Sequence, residues 1–477
     1  MSTVRTIAKN TTILFIATII SYILTFFINI YIARYLGAEG FGILSLAIAL
    51  TGIFSIFTDL GLNTLTVREI AKNKELANNY LINVTVIKIL LTVLTLSIIF
   101  LIVNITGYTT NISAVIIIMA VSMIFTTFSN LFNSIFQAYE RMEYISIGNI
   151  LNSSLLFLGV IIGIYSQSNI FFFAAIYLVA SLFVLVYSSL IYTWKFHLSK
   201  INIDLSFWKS TLKEAIPFGV TNIFGSIYYW IDSVMLSKMV GNEVVGWYNA
   251  AYRLMFAFLA IYTVYLSSIF PVMSKFYKTS EEYLKFSYER SYKYLLIVSL
   301  PIAVGTTLLA DKLILLIYGN GYIPAIFALQ ILIWTIPLLF INGLSGYLLS
   351  AVNRQMALTK IVFVGMVLNI ILNLILIPKF SFIGSSFATV VTELSLFLLF
   401  IYSLIKTGYT DKKSLTKDLP KIIASNMTMA LSIILLKDSN LLLIIPFASI
   451  VYFVAIYLFK ALDEIDISLI RSILNNS

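Results

Sequence analysis

Residues 112–136 read ISAVIIIMAVSMIFTTFSNLFNSIF, 25 residues without a charged side chain. At 1.5 Å per residue a helix of that length crosses the ~30 Å hydrocarbon core of a bilayer with residues to spare. A soluble protein would have to bury the run on every side, and the rest of the chain cannot do so. Of 477 residues 60% are apolar and 11% charged, where an ordinary soluble protein carries ~25% charged residues. With a mean hydropathy of +0.98, most of the chain has lipid as its solvent.

Working outward, apolar runs on both sides lay the chain out as about fourteen transmembrane helices, an all-α polytopic membrane protein. The first six cover 12–33, 41–58, 81–103, 112–136, 144–165 and 170–192. The next six cover 216–236, 246–270, 294–309, 326–350, 361–377 and 384–405, and the last two 419–436 and 440–459. The first run is too long for a cleavable signal and lacks a small-residue cleavage site.

The net charge of +10 fits a nucleic-acid binder or a positive-inside membrane protein, and counting separates them. With the amino terminus in the cytoplasm, 24 of the 31 lysines and arginines fall on the cytoplasmic side. Five fall outside (Arg34, Lys238, Lys312, Lys379, Lys437), and Lys88 and Arg253 lie within spans. This asymmetry predicts a multi-pass plasma-membrane protein with both termini in the cytoplasm, and leaves no charge that calls for nucleic acid. The inner connections 59–80, 193–215 and 272–293 read as interfacial amphipathic helices or linkers.

Other absences narrow the chemistry. With no cysteine there is no disulfide framework, zinc finger, iron–sulfur cluster or thiol nucleophile. The one histidine, His197, stands in a basic stretch with Lys195 and Lys200, which gives no basis for a zinc site or a Ser/His/Asp triad. No phosphate loop of the form G-x-x-x-x-G-K-[ST] occurs, and the outer connections, the longest at 310–325, are too short for a catalytic domain. We expect no catalytic residue, no metal, no cofactor and no enzyme.

The chain also repeats itself. Gly37-Ala38-Glu39-Gly40-Phe41-Gly42 and Gly241-Asn242-Glu243-Val244-Val245-Gly246 both read G-x-E-x-x-G, with Arg34 and Lys238 each three positions before the first glycine. Ala138-Tyr139-Glu140-Arg141 likewise matches Ala351-Val352-Asn353-Arg354. A shift of six helices preserves orientation, so the repeat predicts two six-helix lobes, 1–205 and 206–410, and an accessory helix pair with a tail, 411–477. Parallel repeats of this kind place a substrate path at the lobe interface and work by rocking one lobe against the other.

Here the sequence resembles the polysaccharide and lipid-linked oligosaccharide flippases of the multidrug, oligosaccharidyl-lipid and polysaccharide exporter superfamily, along the whole chain. The residues that carry the resemblance are Leu36-Gly37 with Gly40 and Gly42, Asp59-Leu60-Gly61-Leu62 with Arg68-Glu69-Ile70-Ala71, and Phe136 to Arg141. In the second half they are Ile231-Asp232, Gly246 to Leu254, Ile317-Tyr318-Gly319, Asn369 to Asn373, Ile377-Pro378 and Gly384. The resemblance implies alternating lobes and a lipid diphosphate-linked glycan as cargo, with membrane lipids and glycan-assembly enzymes as partners. Peptidoglycan-precursor flippases carry a cavity arginine at the position matching Arg253; their first-helix arginine pair has no clear counterpart here.

Charges inside the bilayer mark functional interiors by default. Arg253 stands about 10 Å inside the outer end of its span, where it either contacts a phosphate or pairs with Asp232 as a structural tie. Glu393, midway along its span, either couples ions or bonds a neighbouring helix, and Asp232 and Asp59 stand next as coupling carboxylates. Lys88 either snorkels to the cytoplasmic surface or meets cargo. Ser21, Thr25 and Asn29 share one helix face, and Asn222, Ser226, Tyr229 and Ser233 another, which suits a lined cavity or plain helix packing. The substrate-binding candidates are therefore Arg253, Arg34, Lys88, Asn29, Asn222, Tyr229 and Tyr252. Expected is a flippase carrying a lipid-linked oligosaccharide from the cytoplasmic to the outer leaflet. A cation-coupled multidrug exporter is the first alternative, and a membrane glycosyltransferase or polymerase the second.

Overall fold

The computed structural model describes residues 2–196, 203–466 and 468, leaving aside the side chains of residues 2–12, 260, 261 and 264; His197 and Lys200 lie outside the described residues. Among the described residues there is no strand. In chain order the helices are α1 (Ser2–Ser55), α2 (Leu62–Lys72), α3 (Ala77–Thr106), α4 (Thr110–Ala138), α5 (Met142–Tyr165), α6 (Ile170–Lys195), α7 (Leu205–Met239) and α8 (Asn242–Ala257). They continue as α9 (Leu259–Thr279), α10 (Glu281–Ile317), α11 (Ala325–Leu332), α12 (Thr335–Ala351), α13 (Gln355–Lys406), α14 (Lys412–Thr416), α15 (Leu419–Leu435) and α16 (Leu441–Leu458).

Among the described residues, ten stretches are long and apolar enough to cross a membrane. Two of them hold a sharp internal bend: α1 turns at Gly37 (φ 69°, ψ −179°) and α13 at Ser381 (φ 55°, ψ −138°), so each carries two of the expected spans. α7 and the α8–α9 pair stand where the seventh and eighth spans are expected, outside the set of ten. α7 is diluted by Lys209, Lys213, Glu214, Asp232 and Lys238, and α8 parts from α9 at Phe258.

The repeat seen in the sequence extends to the backbone. Eight of the twelve left-handed residues among those described fall into pairs: Gly37 (φ 69°) with Gly241 (φ 137°), Gly107 (φ 66°) with Gly319 (φ 86°), Glu140 with Asn353 (both φ 59°), and Gln167 (φ 51°) with Ser381 (φ 55°), at separations of 204, 212, 213 and 214 residues. At the third pair even the closing hydrogen bond matches, Arg141 N–H to Phe136 C=O and Arg354 N–H to Leu349 C=O, both 2.8 Å. This six-to-one bond after a left-handed residue satisfies carbonyls that a helix end leaves open.

By packing, the chain divides into two compact units, Met1–Arg253 with Val362–Ser385, and Leu254–Ile361 with Ser386–Ser477. In the first, α4 packs on α6, α1 on α5 and α7, and α2 against α4 and α7. The 59–80 connection is amphipathic as expected. α2 buries Leu62, Leu65, Thr66 and Ile70 at helical spacing, against Val84, Ile135 and Phe136, and turns Arg68 and Lys72 outward.

In the second unit α10 packs on α12 and α15, and α15 on α16. Its tail is fastened by charge: the Asp466 carboxylate accepts from Lys293 Nζ at 2.6 Å, Arg290 Nη1 at 2.8 Å and Tyr294 Oη at 2.6 Å. Burial alone would raise this carboxyl, but the bonds from Lys293, Tyr294 and the Asp463 N–H outweigh it and hold its pKa at about 2.

Candidate functional site

Within the first unit lies a cavity of about 500 Å³. Of the residues singled out by sequence, Asn29, Asp59, Lys88, Asn222 and Arg253 line it. α1 supplies Asn29, whose Nδ2 donates to Thr25 C=O at 2.7 Å; α3 supplies Lys88, α7 Asn222 and α8 Arg253. α4 adds Ser122, Thr126 and Asn130, which follow one another at i+4, beside Thr127. Thr127 Oγ1 and Thr58 Oγ1 are 2.9 Å apart, and Ser122 Oγ stands 3.0 Å from Ser181 Oγ.

The two intramembrane cations differ in state. Lys88 does not reach the cytoplasmic surface, which corrects the snorkelling expectation: it is 0% exposed, and its Nζ stands 2.8 Å from Asp59 Oδ1. Desolvating an ammonium this fully is costly unless a charge meets it, and Asp59 is held in place to do so. Its Oδ1 also accepts the Asn63 N–H at 3.1 Å and its Oδ2 the Gly61 N–H at 3.2 Å, so the carboxylate caps the first turn of α2, where the helix dipole favours an anion. Arg253 is half-buried in the cavity wall, and its Nε is buried without a hydrogen-bond partner.

Asp232, the partner considered for Arg253, is buried and engaged by Tyr248 Oη at 2.6 Å and by Asn373 Nδ2 at 2.7 Å, and lies outside the cavity lining. Asn373 also reaches Asn369 Oδ1 at 3.1 Å, so α13 and α8 jointly hold the α7 carboxylate. Tyr229 and Tyr252 pack beside the wall: Tyr229 lies edge-on to Trp230 with ring centres 4.5 Å apart, and Tyr252 stacks on Tyr248 at 5.4 Å. Arg34 is exposed on α1, outside the lining. Glu393 belongs to the second unit, buried, with Asn342 Nδ2 donating to its Oε2 at 2.7 Å.

Sequence reasoning passed over the α4 stripe and Trp230, both of which line the cavity. The stripe was visible as Ser122-x-x-x-Thr126-x-x-x-Asn130; nothing local marked Trp230.

The chain matches the polysaccharide biosynthesis protein family over residues 7–277 and the MatE family over 217–375. It is similar to the "Probable low-salt glycan biosynthesis flippase Agl15" of Haloferax volcanii, 26% identical over 396 residues that cover 80% of each chain. In fold it is similar to the lipid II flippase MurJ in its inward closed conformation, at a TM-score of 0.79 and 18% identity over 93% of this chain and 98% of that one. An inward-facing multidrug resistance MATE transporter follows at 0.68 and 17% identity, over 83% and 96%. With the first match spanning more than half its length, and a helical membrane fold shared with solved transporters, this chain belongs to the polysaccharide biosynthesis protein family.

Proposed function

We infer that the protein is a transporter that flips a lipid-linked oligosaccharide from the cytoplasmic to the outer leaflet, making and breaking no covalent bond. The observation that carries this reading is the cavity of about 500 Å³ with Arg253 in its wall, its Nε–H without a partner. A guanidinium with a free donor suits a phosphate group, and the asparagine, serine and threonine groups around it suit sugar hydroxyls. A cavity serving a cation-coupled drug exporter would need free carboxylates; here Asp59 is neutralised by Lys88 and the unengaged donor is cationic.

In this reading the repeats form two lobes, 1–205 and 206–410, that open alternately, with 411–477 as an accessory pair, a division supported by the four matched left-handed turns. Fourteen spans are read from the apolar runs and cytoplasmic termini from the charge asymmetry, and the reading takes the membrane to be the plasma membrane. Arg253 and Lys88 serve as the main cargo ligands with Asn29 and Asn222, while Arg34, Tyr229 and Tyr252 lie near the path. Glu393, Asp232 and Asp59, each engaged by a neighbour at rest, are the carboxylates that would couple an ion only on changing partners between states, and glycan-assembly enzymes deliver the cargo on the inner face. Similarity to flippases of glycan biosynthesis and of lipid II supports the same cargo class.

Deleting the gene tests the reading: a lipid-linked glycan should accumulate in the inner leaflet and re-expression should clear it. Unchanged lipid-linked glycans in the deletion strain would end the flippase reading.

A further inference from the structure

Arg253 is open to a ligand, but the second cavity cation is already occupied, and what occupies it reaches beyond the cavity. Lys88 Nζ and two backbone N–H groups, of Gly61 and Asn63, converge on the one carboxylate of Asp59. Asp59, Leu60 and Gly61 form the corner between α1 and α2, and the corner is wound left-handed at both Leu60 (φ 45°) and Gly61 (φ 87°). Glycine takes that conformation freely; leucine does not, and must be held there.

The corner lies directly against α7. A Cβ placed on Gly61 would collide with the Ala215 carbonyl, and one on Gly219 would lie 2.6 Å from Leu60 C and 2.7 Å from Leu60 O. Backbone therefore touches backbone in both directions. Next to this contact Arg68 Nη2 bonds Glu214 Oε2 at 2.6 Å, and the same guanidinium lies over the Phe218 ring at 5.4 Å. The ion pair inside the cavity and the α2–α7 contact outside it thus share one three-residue corner.

We propose that Lys88 and Asp59 form a sensor of cargo charge, in which an anionic group entering the cavity takes Lys88, releases Asp59 and loosens the α1–α2 corner from α7. This rests on the flippase reading for the identity of the anion, a lipid-linked phosphate or diphosphate. A diphosphate brings more negative charge to Lys88 than the single carboxylate does, and Arg253 in the same cavity holds it there. Asp59, parted from its cation, is drawn toward water, and Leu60 loses what keeps it left-handed. An empty carrier is then locked at this corner and a loaded one is freed, because only the loaded state compensates Lys88 without Asp59. By reciprocity, opening the corner tightens anion binding by the same factor.

The chain contains no cysteine, so a R68C/E214C pair in the full-length protein, joined by a short bis-methanethiosulfonate reagent, reports the α2–α7 contact. Farnesyl diphosphate is the probe and farnesol its neutral control, with binding measured separately by calorimetry. The expected result is a cross-linking rate lowered about tenfold by saturating farnesyl diphosphate and unchanged by farnesol. The Lys88→Met protein should bind the diphosphate more weakly and show no change in cross-linking when saturated. Because that substitution strands Asp59, the neutral double variant Lys88→Met/Asp59→Asn, which keeps a carbonyl acceptor for the Gly61 N–H, repeats the test and should be equally unresponsive. A diphosphate that binds and leaves wild-type cross-linking unaltered, or alters it equally in the double variant, overturns the sensor while the flippase reading stands. A wild-type protein that binds no diphosphate ends the cargo reading and the sensor with it.

Discussion

Replacing Gly246 with alanine tests how closely the two repeated corners meet. Gly42 and Gly246 occupy matching places in the two G-x-E-x-x-G segments, and each faces the other segment's backbone: a Cβ on Gly42 would run into the Asn242 carbonyl, and one on Gly246 into that of Ala38. For Gly246 the new carbon would lie 2.7 Å from Ala38 C and 3.0 Å from Ala38 Cα, where carbon atoms prefer about 3.5–4.0 Å. The bend of α1 and the first turn of α8 must therefore part by roughly 1 Å. No side chain is available to move aside, so the backbone takes the whole displacement. Overpacking of this kind costs about 1–3 kcal/mol, which shifts a two-state equilibrium by about 5- to 150-fold. A single cysteine at Ala38, buried at this contact, should react with maleimide faster by a factor in that range in the Gly246→Ala background. Gly225→Ala is the control, since nothing lies within 4 Å of a Cβ there, and it should leave the rate unchanged. Equal labelling and equal melting temperature for Gly246→Ala and its parent would show that the corners do not meet as closely as described.

Other outcomes follow from the same geometry. Arg253→Ala should abolish flipping in proteoliposomes while inserting normally, and Arg253→Lys should keep part of it, because a lysine supplies the charge without the planar fork; normal flipping by Arg253→Ala would remove the residue from the path. Glu393→Gln keeps the Asn342 bond but cannot ionise, so transport should lose its dependence on a pH gradient; an unchanged dependence would leave Glu393 as a hydrogen-bonding residue of α13 only. Asp466, held at about pKa 2, is depressed on folding, so the stability it contributes is present above the ordinary ~3.9 and lost as pH falls from there through about 2. Limited proteolysis should therefore release the tail in that window, and Asp466→Asn should release it at neutral pH. Reporter fusions after Lys200, Tyr283 and Lys413 should all report cytoplasm, and one clearly outside would refute the fourteen-span arrangement.

The spans were legible because a bilayer imposes one length and one solvent on every crossing; the 112–136 run needed no neighbour to be read, and α4 (Thr110–Ala138) contains it. The repeat was legible only where glycine marked it. Glu140 and Asn353 share a left-handed φ of 59°, yet as residue types they have little in common, so the sequence match there rested on the flanking alanine and arginine. Lys88 shows the opposite limit. Its partner Asp59 lies 29 residues away across a connection, and no local pattern distinguishes a lysine that reaches outward to lipid headgroups from one turned inward to a carboxylate. Glu393 and Asp232 are found as intramembrane acids by hydropathy alone, but their partners Asn342 and Asn373 lie 51 and 141 residues away on other helices. Chain pattern finds the charge; only the packing of helices decides what meets it.

The tail clasp has a consequence for how the protein is made. Arg290 and Lys293 belong to the basic residues whose asymmetry predicts the orientation of the spans, yet in the folded chain Asp466 bonds both, with Asp463 also on Arg290 and Asp418 also on Lys293, so they offer no free positive charge. The carboxylate that quenches Lys293 lies 173 residues downstream. At 5–20 residues per second a ribosome needs about 9–35 s to reach it, and until then Arg290 lacks both its acidic partners and Lys293 has at most Asp418. Under the topology that the asymmetry predicts, the charges that guide insertion are thus temporary: they act while the chain is being threaded and are retired when Asp463 and Asp466 emerge, turning an insertion signal into a structural fastening.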